Sequence, residues 1–435
     1  MIATELSYDF SGRLALKGSE PSCTAKPSQL TTLPLRIVFA ILSHLVSQDL
    51  LRCSQTCNTL RRVVKAFPAL QYKIELAAVG MQNIPENTLT DQKKLSLLRR
   101  YLRNWSHLSW PCLTHTLATT FDCDKWEISG GVITHMNHNL EVQCTRLGSS
   151  IEGRPTHKWV HPIRMDKDIR DYFVDLYQDL LLVVVTDDDV VAQALLLSFT
   201  KGGTHPSAQM QALELPASAR STNHFHIRGD KLACLSFWDV TGWQGYIFTV
   251  WNWHTGQVIM SYDSAAHSDV HAESPDIIQR DYHMFTFLDD KHIAFAVSVT
   301  STEDIRCQAF IEIIDFTKGY EAFATSVNFH FPKIAKNTLI VEASVARNPA
   351  PPPTLLQEHA PFCTSEDETV VAMSVGLCDL EEIDDYLDLA FFIPTNRLLH
   401  LYHEARAPPT SLSVSWTYPG STGVHHILVH PPRSI

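Results

Sequence analysis

The sequence predicts an α+β multidomain protein: a compact three-helix unit and a helical linker, followed by an all-β, propeller-like domain. Helical spacing of apolar residues runs to about residue 115, and short β-rich runs separated by Gly, Pro, Asp and Asn follow from about residue 120. A chain of 435 residues also exceeds what one small core holds. The expected parts are a disordered tail (1–30), the three-helix unit (31–68), the helical linker (69–115) and the β domain (120–435).

Charge and cysteine usage restrict the function and the compartment. The formal net charge is -12, whereas general binders of nucleic acid or of anionic membranes need a basic surface. We therefore expect no nucleic-acid and no membrane partner. The N-terminus shows no signal pattern, and no apolar run approaches the ~20 residues of a membrane span. The ten cysteines form no CxxC pair, so we expect reduced thiols in a cytoplasmic or nuclear protein.

The three-helix unit is predicted from apolar spacing. Pro34 suits a first helical turn, and Ser47 is the expected N-cap of the second helix. The first stripe consists of Pro34, Ile37, Val38, Ile41, Leu42 and Leu45. The second helix places Leu50, Cys53, Ser54 and Cys57 on one face. The third, ended by Pro68, turns Leu60, Val63, Val64 and Phe67 inward and Arg61, Arg62 and Lys65 outward.

Two more helical patterns form the predicted linker. In LQYKIELAAVGM, one side carries Leu70, Ile74, Ala77, Ala78 and Met81, and the helix is expected to end near Gly80. Thr90 is the expected cap of a further helix. That helix carries Leu95, Leu98, Leu102 and Trp105 on one side.

The β domain shows a weak internal repeat in its turns. The β-rich runs include 179–191, 231–240, 245–253, 292–301, 309–316 and 387–403. The segments SFTKGG (198–203), NWHTGQ (252–257) and DFTKGY (315–320) each place Thr and Gly after an apolar or aromatic strand, as a tight hairpin demands. Propeller blades repeat at ~40–50 residues, so these would be blades with insertions, such as the Pro-rich 350–362. The region has room for ~6–7 blades, although only five or six strand clusters are distinct. A pair of β-sandwiches is the competing architecture.

Catalytic and metal-binding patterns are weighed next. The sequence contains no GxSxG elbow, P-loop, GxGxxG after a strand, or kinase motif set, so we assign no catalytic residue and no cofactor. His224 and His226 would share a strand face, and His426 and His430, with His425, have an HxxxH spacing without the Glu of a zincin. We interpret these histidines as ordinary surface or core residues, and Asp187–Asp189 as a solvated turn. A metal-dependent hydrolase is the minor alternative.

An acidic stretch lies near the C-terminal end. Residues 364–389 contain nine acidic residues and no Lys or Arg. We interpret the stretch as a solvated loop between blades. Recruitment of a basic substrate segment is the alternative.

The N-terminal unit has more apolar residues than three short helices can bury among themselves. Beside its main stripe, the first helix carries Leu35 and Phe39 on a neighbouring face, and Leu50 and Leu51 crowd the second. Exposed apolar patches of more than a few hundred Å² usually mark an interface. The surplus therefore predicts a surface for a protein partner.

These residues also carry a family resemblance. LPLRIVFAILSHL followed by DLLRCSQTCNTLRRVV resembles an F-box, and VWNWHTGQVI (250–259) resembles the last strand and turn of a WD-type propeller blade. The arrangement is similar to that of fungal F-box proteins with a C-terminal WD-type region, although the Gly-His…Trp-Asp repeat signature is missing. The resemblance implies a non-catalytic substrate receptor of an SCF-type cullin–RING ubiquitin ligase.

The resemblance also implies the partners. The F-box would bind the Skp adaptor, and through it the cullin–RING ligase, while the β domain would hold a protein substrate. The alternative is a non-degradative propeller scaffold. The predicted partner-binding residues are Leu33, Pro34, Leu35, Ile37, Val38, Phe39, Ile41, Leu42, Leu45, Leu50, Leu51, Cys57 and Leu60.

Overall fold

A computed structural model describes most of the chain between Leu33 and His430, in segments. They are residues 33–84, 88–107, 126–129, 131–136, 141–146, 156–162, 168–187, 191–216, 222–240, 243–266, 277–301, 306–331, 338–347, 361–365, 368–379, 386–406, 413–417 and 424–430. The predicted tail lies outside these residues, as does 348–360, which includes most of the Pro-rich segment. The chain divides into two compact units, with the boundary between Ile74 and Glu75.

The first unit has the predicted order of three short helices. They are α1 (Leu35–Ser43), α2 (Ser47–Thr56) and α3 (Asn58–Ala66), and α4 (Pro68–Ala78) follows. The Pro34 carbonyl accepts the amides of Ile37 and Val38 at 2.8 and 3.2 Å, so Pro34 is the N-cap of α1. The expected cap of α2 was wrong: Ser47 is the first residue of the helix, and the cap position holds Val46 without a side-chain cap bond.

The linker contains the predicted helices and one unpredicted strand. Helix α5 (Asp91–His107) is capped as expected, because Thr90 Oγ1 accepts the amide of Lys93 at 3.4 Å. Strand β1 (Met81–Asn83) pairs antiparallel with β19 (Phe362–Thr364). The three-residue β1 has no periodicity to read, and its partner lies far along the chain. On α4, the inward residues include Tyr72 and Leu76, whereas the predicted Ala77 and Ala78 are exposed.

Five antiparallel sheets, called blades 1 to 5, follow. Blade 1 comprises β2 (Trp126–Ser129), β3 (Val132–Met136), β4 (Glu141–Arg146) and β5 (His157–Pro162). Blade 2 comprises β6 (Asp168–Asp175), β7 (Leu180–Asp187), β8 (Val191–Ser198) and β9 (Ala212–Glu214). Blade 3 comprises β10 (Thr222–Arg228), β11 (Lys231–Val240), β12 (Trp243–Asn252) and β13 (Gln257–Asp263).

Blades 4 and 5 depart from the simple four-stranded form. Blade 4 comprises β14 (Ile277–Phe287), β15 (His292–Ser301), β16 (Arg306–Asp315) and β17 (Val327–His330), after which β23 (Val424–His430) and β22 (Ser413–Thr417) extend the sheet. Blade 5 comprises β18 (Thr338–Arg347), β20 (Val370–Asp379) and β21 (Tyr386–Pro394). Helices α6 (Glu321–Ala324) and α7 (Thr395–Arg406) accompany them.

The five sheets form a propeller arrangement. The first strand of each blade is the inner one: β2, β6, β10, β14 and β18 follow one another and line a common cavity of about 940 Å³. The all-β propeller prediction is therefore confirmed, and the sandwich alternative is wrong. The estimate of six to seven blades is also wrong, because insertions lengthen the spacing between blades.

The repeated turns identified in the sequence occupy equivalent places. SFTKGG, NWHTGQ and DFTKGY connect the third and fourth strands of blades 2, 3 and 4. The residue after each third strand donates its amide to a carbonyl beside the turn between the first two strands. These bonds are Phe199 to Asp179 (2.8 Å), Trp253 to Asp230 (3.0 Å) and Phe316 to Lys291 (3.0 Å). In blade 5, Thr395 donates in the same way to Thr369 at 2.9 Å.

One part of the β prediction was wrong. The run 387–403 was read as strand, but β21 ends at Pro394 and α7 follows. The apolar spacing changes there from alternation to a helical pattern, since Leu398, Leu401 and Tyr402 are all buried. The acidic stretch is likewise no simple loop, because it contains β20 and the beginning of β21.

A glycine turn in blade 3 gives a first stability prediction. Gly256 has φ +76°, and a Cβ added there would lie 2.5 Å from Cγ of Met210. Gly256→Ala should therefore lower the free energy of unfolding by about 1–2 kcal/mol from left-handed strain, plus the cost of displacing Met210.

The matched control is Gly131→Ala, because Gly131 has the same φ and nothing within 4 Å of the added Cβ. Urea unfolding of the full chain measures both variants. We expect Gly256→Ala to cost more, and the excess to shrink in a Met210→Ala background. Equal losses in both backgrounds would contradict the predicted contact.

Candidate protein-interaction surface

The core of the first unit includes part of the predicted partner-binding set. Val38, Leu42, Leu50 and Leu60 are at most 6% exposed. They pack in one cluster with Val63, Val64 and Leu70. These four therefore join the helices to one another, and the prediction that they present a surface needs correction. Helical spacing does not distinguish the buried side of an apolar stripe from its exposed side, so these four residues were included in the predicted partner-binding set.

Three further residues of the set are half-buried. Phe39 stacks on Phe67, with ring centroids 4.4 Å apart and an angle of 26° between the planes. Cys57 Sγ accepts the amide of Leu60 at 3.5 Å, which caps α3. Leu45 packs against the same core. The contacts of Phe39, Leu45 and Cys57 are thus internal to the unit, with part of each side chain left at the surface.

The other six residues of the set are exposed. Leu33, Leu35, Ile37, Ile41 and Leu51 are 40, 54, 48, 41 and 44% exposed, and Pro34 is also exposed. Val46, which the sequence analysis did not select, is 61% exposed before α2. The predicted stripe of α1 therefore splits: Val38 and Leu42 face inward, while Ile37 and Ile41, four residues apart, share the outer side. We call Leu33, Pro34, Leu35, Ile37, Ile41, Val46 and Leu51 the exposed apolar set.

Basic side chains accompany the exposed apolar set. Arg36, Arg52, Arg61, Arg62 and Lys65 are all exposed. Arg52 pairs with Asp49 at 3.0 Å, and Arg61 Nε donates to the Ser54 carbonyl at 3.2 Å. Exposed charges of this kind steer association and are screened by salt, whereas apolar burial supplies the free energy of a contact. The arrangement suits a protein partner with an apolar groove and an acidic rim.

A second candidate feature is the central cavity of the β domain. Its charged lining residues are Glu127, Arg170, Asp171, Asp175 and Arg347. His224 and His226 also line it, but they take different environments. His224 packs edge-on to Phe237 at 5.7 Å, whereas His226 lies between aromatic rings and has Thr286 Oγ1 3.3 Å from its Nε2.

The environment of His226 favours the neutral ring. Burial, together with the positive charges of Arg347 and Arg228, lowers the pKa of His226 from 6.5 to about 4. The described residues contain no group of three or more His, Cys, Asp or Glu placed to hold a metal ion. His226 is therefore interpreted as a residue of the propeller interior.

This pKa predicts a pH-dependent stability. The His226 ring takes up a proton near pH 6.5 in the unfolded chain but only near pH 4 in the folded chain. The free energy of unfolding therefore decreases as the pH falls from 6.5 to 4. The loss from this group is on the order of 3 kcal/mol, at about 1.4 kcal/mol per pH unit. His226→Phe should remove it. His224→Phe is the control and should keep the dependence of the natural chain in urea unfolding at pH 4–7. If the free energy of unfolding depends on pH in the same way in the natural chain and in His226→Phe, the lowered pKa of His226 is contradicted.

The remaining sequence candidates lie elsewhere. His425, His426 and His430 belong to strand β23, not to a helix as a zincin requires. Asp187 ends β7, and Asp188 and Asp189 lie outside the described residues. Among the helices that the structure describes, none combines the length and the apolar character needed to cross a bilayer.

A comparison with known protein families finds a match in the first unit. Residues 30–70 match the F-box-like family, a span that covers α1, α2 and α3. A solved structure of an uncharacterized protein from Listeria monocytogenes EGD-e is similar at 8% identity, with a TM-score of 0.24, over 60% of this chain and 79% of that one. A likeness this weak carries no argument about the β domain. No curated protein matches the sequence.

Proposed function

The chain is an F-box protein with a five-bladed propeller domain, and from this premise we propose that it is the substrate-recognition subunit of an SCF-type cullin–RING ubiquitin ligase. In this role the first unit binds the Skp adaptor and the propeller domain binds a target protein. The proposed compartment is the cytoplasm or the nucleus.

One observation carries the proposal. The span that matches the F-box-like family is also the span that leaves six large apolar side chains at least 40% exposed within 19 residues: Leu33, Leu35, Ile37, Ile41, Val46 and Leu51. Side chains of this kind leave water when a partner covers them, at roughly 1.5–3 kcal/mol for each large one fully buried. The exposed apolar set is therefore the proposed adaptor contact, and the four buried residues act indirectly by holding α1 and α2 in place.

The β domain is the proposed target-binding part. Propellers present loops on a rigid scaffold, and binding residues are often found on such loops. The absence of a catalytic motif set in the sequence supports a non-catalytic subunit. A ligase built in this way transfers ubiquitin through its other subunits, with the chain serving to position the target.

A non-degradative scaffold is the alternative function. It would make the same adaptor contact without a cullin. Affinity purification of the tagged full chain separates the two functions, because a cullin and a RING subunit accompany the adaptor only in a ligase.

Reconstituted ubiquitin transfer tests the proposal. The purified chain alone should form no ubiquitin conjugates. Conjugates on a co-purified target should appear when adaptor, cullin and RING subunits are all present. Conjugation by the isolated chain, or full conjugation by the other subunits without it, would refute the proposed role.

A further inference from the structure

Strand β21 is the last strand of the blade 5 sheet in the described part of the chain. In blades 1 to 4 a fourth strand pairs with the equivalent third strand. In blade 5 the chain instead enters α7 directly after Pro394. An edge strand presents a row of backbone N–H and C=O groups to any further strand that approaches.

The side chains of β21 make this edge unusually apolar. Leu387, Leu389 and Phe392 are 56, 36 and 71% exposed, and they point to both faces of the sheet. Natural edge strands usually carry Lys, Pro, bulges or a short length that prevents pairing. From Tyr386 to Ile393 the strand has no Lys, Arg or Pro.

The outer strands of blades 1 and 2 do carry such protection. In blade 1, β5 contains Lys158 and ends at Pro162. In blade 2, β9 has only three residues. With nine residues, β21 is also longer than the outer strands β5, β9, β13 and β22 of the other blades.

The face of the sheet that carries Phe392 also carries negative charge. Asp388 pairs in register with Gly376, which pairs with Glu342, so the two acids stand in one row across the sheet. Both are exposed, and their backbones are about 10 Å apart at the usual strand spacing. The one cation in the three described strands is Arg347, which is 5% exposed and donates to the Leu288 carbonyl and to Thr369. A strand added outside β21 would meet exposed apolar side chains beside Asp388.

We propose that the β21 edge takes an extended segment of a partner protein by strand addition, and that this segment carries apolar residues together with Lys or Arg. Main-chain hydrogen bonds to β21 would give affinity, and alternate side chains would give specificity. The apolar residues would cover Leu389 and Phe392, and a basic residue would face Asp388 on the edge strand itself. The inference rests on the proposed function only in that the partner would be the ligase target.

A displayed library of random 12-residue peptides, selected on the immobilised full chain, tests the proposal. Enriched peptides should combine apolar residues with an excess of Lys and Arg. Phe392→Lys and Asp388→Lys should each weaken their binding by at least about tenfold, which corresponds to about 1.4 kcal/mol. The matched control is Val258→Lys, since Val258 is 50% exposed on β13; it should bind like the natural chain.

Failure to enrich any peptide, enrichment without basic residues, or equal binding by all variants would overturn the proposal. Hydrogen exchange on the free chain separates the other occupants. The alternate amides of residues 387–393 that point away from β20 should exchange rapidly and become protected when an enriched peptide is added. Protection in the free monomer would mean that the chain fills its own edge, and protection that appears with concentration and dimerisation would mean a second copy.

The outcome is separate from that of the proposed function. Peptide binding at β21 needs no adaptor, and Phe392→Lys should leave adaptor binding unchanged. Loss of the peptide site would therefore leave the F-box proposal standing, and absence of adaptor binding would leave the peptide site standing.

Discussion

Replacing both Ile37 and Ile41 by Asp should weaken binding of the full chain to a Skp adaptor by at least about a hundredfold. The two side chains are 48 and 41% exposed, so each has apolar surface left for a partner to bury. The variant loses the free energy of burying two isoleucine side chains and must also desolvate two unpaired carboxylates, and each effect costs about 1 kcal/mol or more of binding free energy. A loss of about 2.8 kcal/mol corresponds to a hundredfold weaker Kd. Calorimetric titration of purified adaptor into the chain measures the change.

Two further variants control this result. Leu33→Ala with Pro34→Ala removes less surface and should weaken binding by about tenfold or more. Val341→Asp, at a residue 55% exposed on β18, introduces the same charge in the propeller domain and should leave adaptor binding unchanged. Circular dichroism must match that of the natural chain in each case. If the Ile37/Ile41 double variant is folded and binds the adaptor with the same affinity as the natural chain, these residues do not contact the adaptor.

The substitution Glu312→Ala should lower the free energy of unfolding by about 3–5 kcal/mol, the usual cost of leaving a buried charge without its partner. The Glu312 carboxylate is 1% exposed and lies 2.9 Å from Nη2 of Arg280, which is 10% exposed. The Tyr282 hydroxyl donates to the same carboxylate at 2.5 Å. The Arg280 guanidinium also lies over the rings of Phe310 and Tyr282, at 5.1 and 5.4 Å.

The neighbouring core explains why this loss should be large. Phe295 and Phe323 lie 5.5 and 6.0 Å from the ring of Tyr282, the hydrogen-bond donor to Glu312, and they belong to one buried cluster. Because Arg280 is itself only 10% exposed, water would solvate it poorly once the carboxylate is removed. Urea unfolding of the full chain measures the change, with Glu342→Ala as the control because Glu342 is exposed. Replacing both members of the pair, Arg280→Met with Glu312→Leu, should recover most of the loss. A loss below about 1 kcal/mol for Glu312→Ala would show that the pair is solvated.

The sequence predicted the helices of the first unit and of the linker because the signals are local. Apolar spacing, Pro34, Pro68 and the Thr90 cap all act within one or two turns of a helix. The division of that unit into core and surface was less accessible. Val38 and Leu42 lie next to Ile37 and Ile41 in the same stripe, and only the packing of α3 and Leu70 against one side decides which pair is buried.

The propeller followed from the turns more than from the strands. Gly202, Gly256 and Gly319 all have positive φ, as their places in tight turns require. The blade number and the pairing of β1 with β19 depend on partners far apart along the chain, so no local window contains them. Helix α7 is a different kind of miss: its Leu398, Leu401 and Tyr402 have helical spacing, but they follow a strand without a glycine or a loop to mark the change.

Direct binding of the natural full-length chain to a purified Skp adaptor tests the central claim. Calorimetric titration, checked by co-sedimentation, should show an equimolar complex with a Kd of about 1 μM or tighter, as expected for a specific interface of standard size. Affinity should change little at moderate salt, because apolar contacts dominate over the exposed arginines. A folded chain that shows neither heat nor co-sedimentation at concentrations on the order of tens of micromolar would contradict the account.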